Sequence, residues 1–315
     1  MMTEGYIRPK ELELGSLLGR FFLLLFLMMI PLAGAACSDG ESLPFSPGTV
    51  STSTSADLRI SIAGMFTPKE TYSIYSELLD YIGEKTGRST ILQQTGSYSS
   101  VNDLLARKET DFAFLCSGGY VEASHHMGLV PLVAPVVNGQ PLYYSYILAR
   151  EGSGIQKFED FRGRRFAFGD PLSLTGTLYP MSRIRLAGYG LENFFGDYIY
   201  TNNHDNSIKA MMEGVVDGTA VDSFIFDYLK ARNPASVAGL VIIEKSQPFG
   251  SPPIVARPGL PKDLRDQLIQ VLVGMQDDPK GREILTQLGI ERFVQVDESL
   301  YESVEQLEAE MTIRQ

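Results

Sequence analysis

From residue 58 to the end, short apolar runs of strand character alternate with helical stretches, and this alternation constrains the fold more than any other feature. LRISIAGM (58–65) alternates apolar and polar residues, as a strand does. TPKE follows as a helix start, with Thr67 as N-cap, Pro68 at the first helical position and Glu70 completing a capping box. The helix carries Ile74, Tyr75, Leu78, Leu79 and Ile82 on one face and stops near Gly83. STILQQ, DFAFLC, LYYSYILAR, RRFAFGD, DYIYTN, GTAVDS, LVIIEKS and PPIVAR read as further strands. Between most of them lie the helical stretches VNDLLARK, TLYPMSRIRLAGYG, SIKAMMEGVVD and SFIFDYLKAR, and the tail from Pro261 reads as largely helical. Strand and helix alternating at this spacing specify an α/β fold with mainly parallel sheets.

A folded part this long exceeds the common domain size of ~100–150 residues, so two lobes are expected. LYYSYILAR (142–150) reads as the crossing out and SQPFGSPPIVAR (246–257) as the return, its Gly, Pro and Ser content suiting a hinge. On that reading lobe I is discontinuous, residues 58–147 and 249–315, and lobe II is 148–248.

The apolar run FFLLLFLMMIPLAGAAC (21–37) is short for a membrane span, which needs about 20 apolar residues, but suits a secretory signal. Cys37 directly after Gly34-Ala35-Ala36 resembles the lipobox of bacterial lipoproteins, which implies a signal peptide over 1–36 and acylation of Cys37. The alternative, an uncleaved anchor, leaves the folded part on the same side of the membrane. Residues 37–57 are rich in Ser, Thr, Pro and Gly and read as a flexible tether. After Cys37 only Cys116 remains, so no internal disulfide is expected, and Cys116 reads as a buried strand-end thiol.

Net charge is −11, which argues against nucleic acid as a partner. No His/Cys cluster has metal-ligand spacing, and no metal or cofactor is expected. No GxSxG, Walker A or HExxH pattern supports an enzyme.

The stretch FGDPLSLTGTLYP (168–180) crowds Ser173, Thr175 and Thr177 around Gly176 with no Lys or Arg, after a strand and at the start of a helix. Helix N-termini at the carboxyl ends of strands direct free N–H groups outward and carry roughly half a positive charge, so such a turn can hold an anion without a counter-ion. Taken alone, it reads rather as an ordinary N-cap, since most such caps bind nothing.

FEDFRGRRFAFGDPLSLTGTLYP followed by NNHDNSIKAMMEGVVDGTAVDS resembles the phosphate, phosphite and phosphonate solute-binding proteins of ABC importers. That resemblance implies a type II periplasmic binding fold with two α/β lobes, a two-strand hinge and a cleft. It also implies capture of a phosphorus oxyanion between the lobes, delivery to an ABC permease in the cytoplasmic membrane, and a protein that acts as a monomer and not as an enzyme. By resemblance the anion ligands are Ser173 and Thr175 through hydroxyls, Leu174 and Gly176 through backbone, His204 in NNHDN, Asp222 in TAVDS, Tyr98 in TGSYSS and Tyr143 in GQPLYY. An ionised Asp222 would accept from a P–OH group and repel a fully ionised anion such as sulfate. SGGY (117–120) is a further candidate for the cleft lining. Where family members that take aminoalkyl phosphonates place carboxylates, this chain aligns Phe224 and Pro252, which implies phosphite, phosphate or a small phosphonate. Two other functions fit the same fold: a sensing partner for a membrane receptor kinase, and a binder of another metabolite such as a thiamine precursor.

Overall fold

The computed structural model describes residues 57–313, so the signal peptide, most of the tether and Cys37 lie outside the described residues. Two sheets organise the chain. The first has six strands in the order β13-β4-β12-β3-β1-β2. Its strands are β1 (Leu58–Ile62), β2 (Thr90–Gln94), β3 (Phe112–Phe114), β4 (Pro131–Val136), β12 (Ile254–Ala256) and β13 (Arg292–Gln295). The second has five strands in the order β10-β6-β9-β7-β8. It is built from β6 (Ser145–Arg150), β7 (Arg165–Phe168), β8 (Asp197–Tyr200), β9 (Gly218–Asp222) and β10 (Leu240–Lys245). Between the sheets, β5 (Leu142–Tyr143) pairs antiparallel with β11 (Phe249–Gly250), where the chain leaves one sheet and returns to it.

Both sheets are mixed, whereas the strand and helix alternation suggests mainly parallel ones. Strand β1 runs parallel to β2 and β3, and β7 runs parallel to β8 and β9. The crossing strands reverse the pattern: β12 lies antiparallel to β3 and β4, β13 to β4, β6 to β9, and β10 to β6. A chain that crosses to a second sheet and comes back must re-enter the first from the opposite direction.

Helices follow most strands: α1 (Pro68–Thr86), α2 (Tyr98–Ala106), α3 (Ser117–Met127), α4 (Tyr179–Leu186), α5 (Leu191–Phe194), α6 (His204–Met212) and α7 (Ser223–Arg232). The tail holds α8 (Lys262–Val273), α9 (Pro279–Leu288) and α10 (Glu302–Ile313), and also β13, so it is not wholly helical. The capping box expected at α1 does not form, because the Thr67 side chain makes no cap bond. The Thr67 N–H that Glu70 would take instead donates to both Asp205 oxygens at 3.1 Å. A carboxylate far along the chain wins over the local one.

The second sheet packs through rings. Phe158, Phe161, Phe166, Phe168, Phe194 and Phe195 form one aromatic cluster, with Phe166 stacked on Phe195 at 4.5 Å. The Phe161 ring rests directly on Gly218, the first residue of β9. A Cβ there would lie 2.0 Å from Phe161 Cε1. We therefore expect Gly218→Ala to destabilise the protein by about 1–3 kcal/mol, the usual cost of overpacking a tight core. Urea denaturation checks this, and an unchanged midpoint would show that the ring can move aside.

Candidate functional site

One feature recurs at the candidate residues: most sit at the start of a helix or turn that follows a strand. Tyr98 is the first residue of α2, after Ser97, whose hydroxyl accepts from Ser100 N–H at 3.2 Å. Cys116 precedes α3, His204 opens α6, and Asp222 caps α7. Ser173 caps a π-helical turn, Leu174–Leu178, that runs into α4. Each such start leaves backbone N–H groups without helical partners and adds a positive partial charge.

Hydrogen bonds and close approaches draw these starts together. Ser173 Oγ accepts from Gly176 N–H at 3.0 Å and lies 3.5 Å from His204 Nε2. Glycine at 176 lets this approach happen, since a Cβ there would lie 3.0 Å from both His204 Cε1 and Ser173 Oγ and push one of them away. Ser145 Oγ donates to the Thr175 carbonyl at 2.6 Å, and Ser145 is the ladder partner of Asp222. Tyr143 Oη lies 3.7 Å from Cys116 Sγ, and its ring is 5.8 Å from that of Phe224. The Leu174 N–H points at the same sulfur. All eight residues implied by the family pattern thus occupy one neighbourhood, and Ser173, Leu174, Thr175, His204, Asp222, Tyr98 and Tyr143 are each at most 1% exposed.

The electrostatics are unusual for an interior. Among the described residues no lysine or arginine is buried. Burial pushes the His204 imidazole down to about 4, so it is neutral at physiological pH. Burial pushes the Asp222 carboxyl up to about 7, against the pull of the Phe224 and Ile225 N–H groups. Burial likewise drives the Tyr98 and Tyr143 hydroxyls well above their ordinary value. Three polar atoms here are buried without a partner, Thr175 Oγ1, Thr177 Oγ1 and His204 Nδ1, and Tyr98 Oη has only the Ser173 hydroxyl within reach, short of good hydrogen-bond geometry. Each such atom costs about 1–3 kcal/mol in a closed interior. A core selected for stability alone would not gather them on adjacent turns.

Several residues that join the two halves escape a local reading. Asp170 accepts from Tyr98 N–H at 3.0 Å and Leu172 N–H at 2.8 Å. Asn203 Nδ2 donates to the Gly64 carbonyl at 2.6 Å, and His204 N–H donates to Met65 at 3.0 Å. Gly118 abuts Leu172, whose carbonyl would lie 2.6 Å from any added Cβ. Asp170 stands in the hydroxyl-rich stretch itself, and its place before Pro171 is the one signal that could have marked it. Cys116, expected as a buried strand-end thiol, is buried and stands beside Tyr143 and the Leu174 turn.

A family model for the periplasmic substrate-binding protein of ABC phosphonate transporters matches residues 60–301. The chain belongs to this family. Among curated relatives, it is 27% identical over 205 residues to the phosphate-import protein PhnD of Mycolicibacterium smegmatis, across 62% of this chain and 64% of that protein. The match thus spans slightly less than two thirds of that relative's length. Among solved structures, the binding protein component of an ABC phosphonate transporter from Pseudomonas aeruginosa superposes with a TM-score of 0.74 at 20% identity, covering 80% of this chain and 85% of that one. PhnD1 from Prochlorococcus marinus in complex with methylphosphonate gives 0.73 at 15% identity, covering 81% and 98%. These likenesses establish the two-lobed periplasmic binding fold. Among the described residues no helix is long and apolar enough to cross a membrane.

For this member of the phosphonate-binding family, the two shifted groups act in opposite senses on stability. His204 resists a proton that the unfolded chain accepts, so stability is lost as pH falls from about 6.5 towards 4. Asp222 holds a proton that the unfolded chain releases, so stability is lost as pH rises from about 4 to 7. Asn is as good an N-cap as Asp, so Asp222→Asn isolates the second effect. Between about pH 5 and pH 8 the ligand-free variant should gain about 2–3 kcal/mol on the wild type, at 1.36 kcal/mol per pKa unit. Thermal or urea denaturation at both pH values measures this, and a pH-independent difference would remove the burial effect assigned to Asp222.

Proposed function

We propose that the protein, outside the cytoplasmic membrane, captures a phosphorus oxyanion in the cleft between its lobes and delivers it to an ABC permease in that membrane. The observation that carries this reading is the set of buried polar atoms with unmet hydrogen-bonding capacity, Thr175 Oγ1 and His204 Nδ1 beside the Tyr98 and Ser173 hydroxyls, gathered at helix starts without a cation. A tetrahedral anion supplies acceptors for those groups and sits at the positive end of the Ser173–Gly176 turn. The boundary read from the sequence, lobe I as residues 58–147 and 249–315 and lobe II as 148–248, would cut β6, all of which lies in the second sheet, so the crossing belongs before Ser145, with β5 and β11 as the hinge. Closure of the lobes, without a covalent step, accounts for the work of a transport binding protein, and the relatives named above carry transport names, not enzymatic ones. Acylation at Cys37 would hold the protein at the membrane as a monomer.

The proton on Asp222 refines the reading. A carboxyl balanced near pH 7 shares one proton with the guest: ionised, it accepts from a P–OH group, and neutral, it donates to a P–O⁻. A fully ionised anion with no proton of its own is rejected only once Asp222 is ionised. Sulfate should therefore compete better at about pH 5.5 than at about pH 8.5, and Asp222→Asn should flatten that dependence. Competition titrations at both pH values test this, and pH-independent exclusion of sulfate by the wild type would remove Asp222 as the discriminating group.

Thr175→Val and Ser173→Ala should each weaken binding by about 1.5–3 kcal/mol, the range for a hydrogen bond to a charged partner. Because Thr175 Oγ1 has no partner in the ligand-free protein, Thr175→Val should lose no ligand-free stability. Calorimetric titration with phosphite, phosphate and methylphosphonate, paired with ligand-free melting, separates the two effects. Unchanged affinity in Thr175→Val would overturn the reading of the turn.

A further inference from the structure

Beside the proposed anion site lies a cavity of about 290 Å³, far larger than a tetrahedral oxyanion requires. Its walls come from both lobes: Tyr75 of α1, Phe114 at the end of β3, Ile254 of β12 and Phe293 of β13 face Phe224 and Tyr228 of α7. Asp222 forms part of the wall, so the cavity adjoins the place where Asp222, Ser145 and Thr175 meet.

The polar groups on this wall are already engaged. Asp227 accepts from Tyr146 Oη at 3.3 Å and lies near Lys230 and Lys245. Arg232 donates to the Thr286 and Gln287 carbonyls at 3.2 and 2.9 Å and lies over the Tyr228 ring. Asp222 accepts from the Phe224 N–H at 2.7 Å through one oxygen, and in the proposed reading its remaining capacity is turned to the phosphorus head group. An ammonium group entering here would have to compete with Tyr146, Lys230 and Lys245 for Asp227 and with the head group for Asp222, whereas an apolar group would meet mostly apolar side chains and bury surface against them.

The geometry points to a phosphonate with an apolar alkyl or aryl substituent, its head at the Ser173–Gly176 turn and its substituent in the cavity between α1, β13 and α7. This rests on the anion-capture reading of Ser173, Thr175 and His204, and it narrows the substrate to a class. The head fixes orientation by hydrogen bonds. The substituent adds affinity by leaving water.

Calorimetric titration of the full chain with methylphosphonate, butylphosphonate, phenylphosphonate and 2-aminoethylphosphonate tests the assignment. Butyl- and phenylphosphonate should bind at least ten-fold tighter than methylphosphonate, and the amino compound no tighter than methylphosphonate. Ala231 also lines the cavity, so Ala231→Phe should erase the advantage of the larger ligands and leave methylphosphonate affinity unchanged. If methylphosphonate binds and the larger apolar ligands bind no tighter, or the amino compound binds tightest, the cavity assignment fails while anion capture stands. If no phosphorus ligand binds, both fall together.

Discussion

The structure depends on an electrostatic arrangement that has no formal positive charge in it. Helix starts at Tyr98, Ser117, His204 and Ser223, and the turn at Leu174, are gathered where two sheets face each other. Each contributes a fraction of a charge through the aligned dipoles of its first turn, and burial strengthens the sum by removing water. A lysine would supply the same attraction with less architecture, but it would bind any anion within reach. In the proposed reading, oriented dipoles fix where each acceptor oxygen lies, and Asp222 adds the opposite requirement, a place for one proton.

Much of this arrangement is legible in the sequence because its signals are local. A strand followed by Ser, Thr and Gly at a helix start marks residues 173–176, and the same strand-to-helix transition marks Asp222 in TAVDS. His204 stands where a strand ends and α6 begins. Family resemblance then turns a set of ordinary caps into one site, which no single cap would justify.

The parts that escape are those whose partners lie far away in the chain. Asp170 and Tyr98 are 72 residues apart, and Thr67 and Asp205 are 138 apart. Nothing near Thr67 reveals that its N–H is claimed from elsewhere, so the local capping rule gives the wrong partner. The sheets are mixed for a similar reason, since the direction of β12 and β13 is set by the return from the second sheet and not by their own composition. Strand β4, PLVAPV, carries two prolines that count against a strand, yet it is wholly buried inside the six-stranded sheet.

The bond between Thr67 and Asp205 has a thermodynamic corollary. The N-cap of α1 borrows the acceptor for its N–H from the opposite half of the molecule, so any parting of the halves leaves that N–H to be satisfied by water. Separation therefore loosens a secondary-structure element as well as breaking a contact. The order of a helix tip becomes a local reporter of whether the jaws are shut.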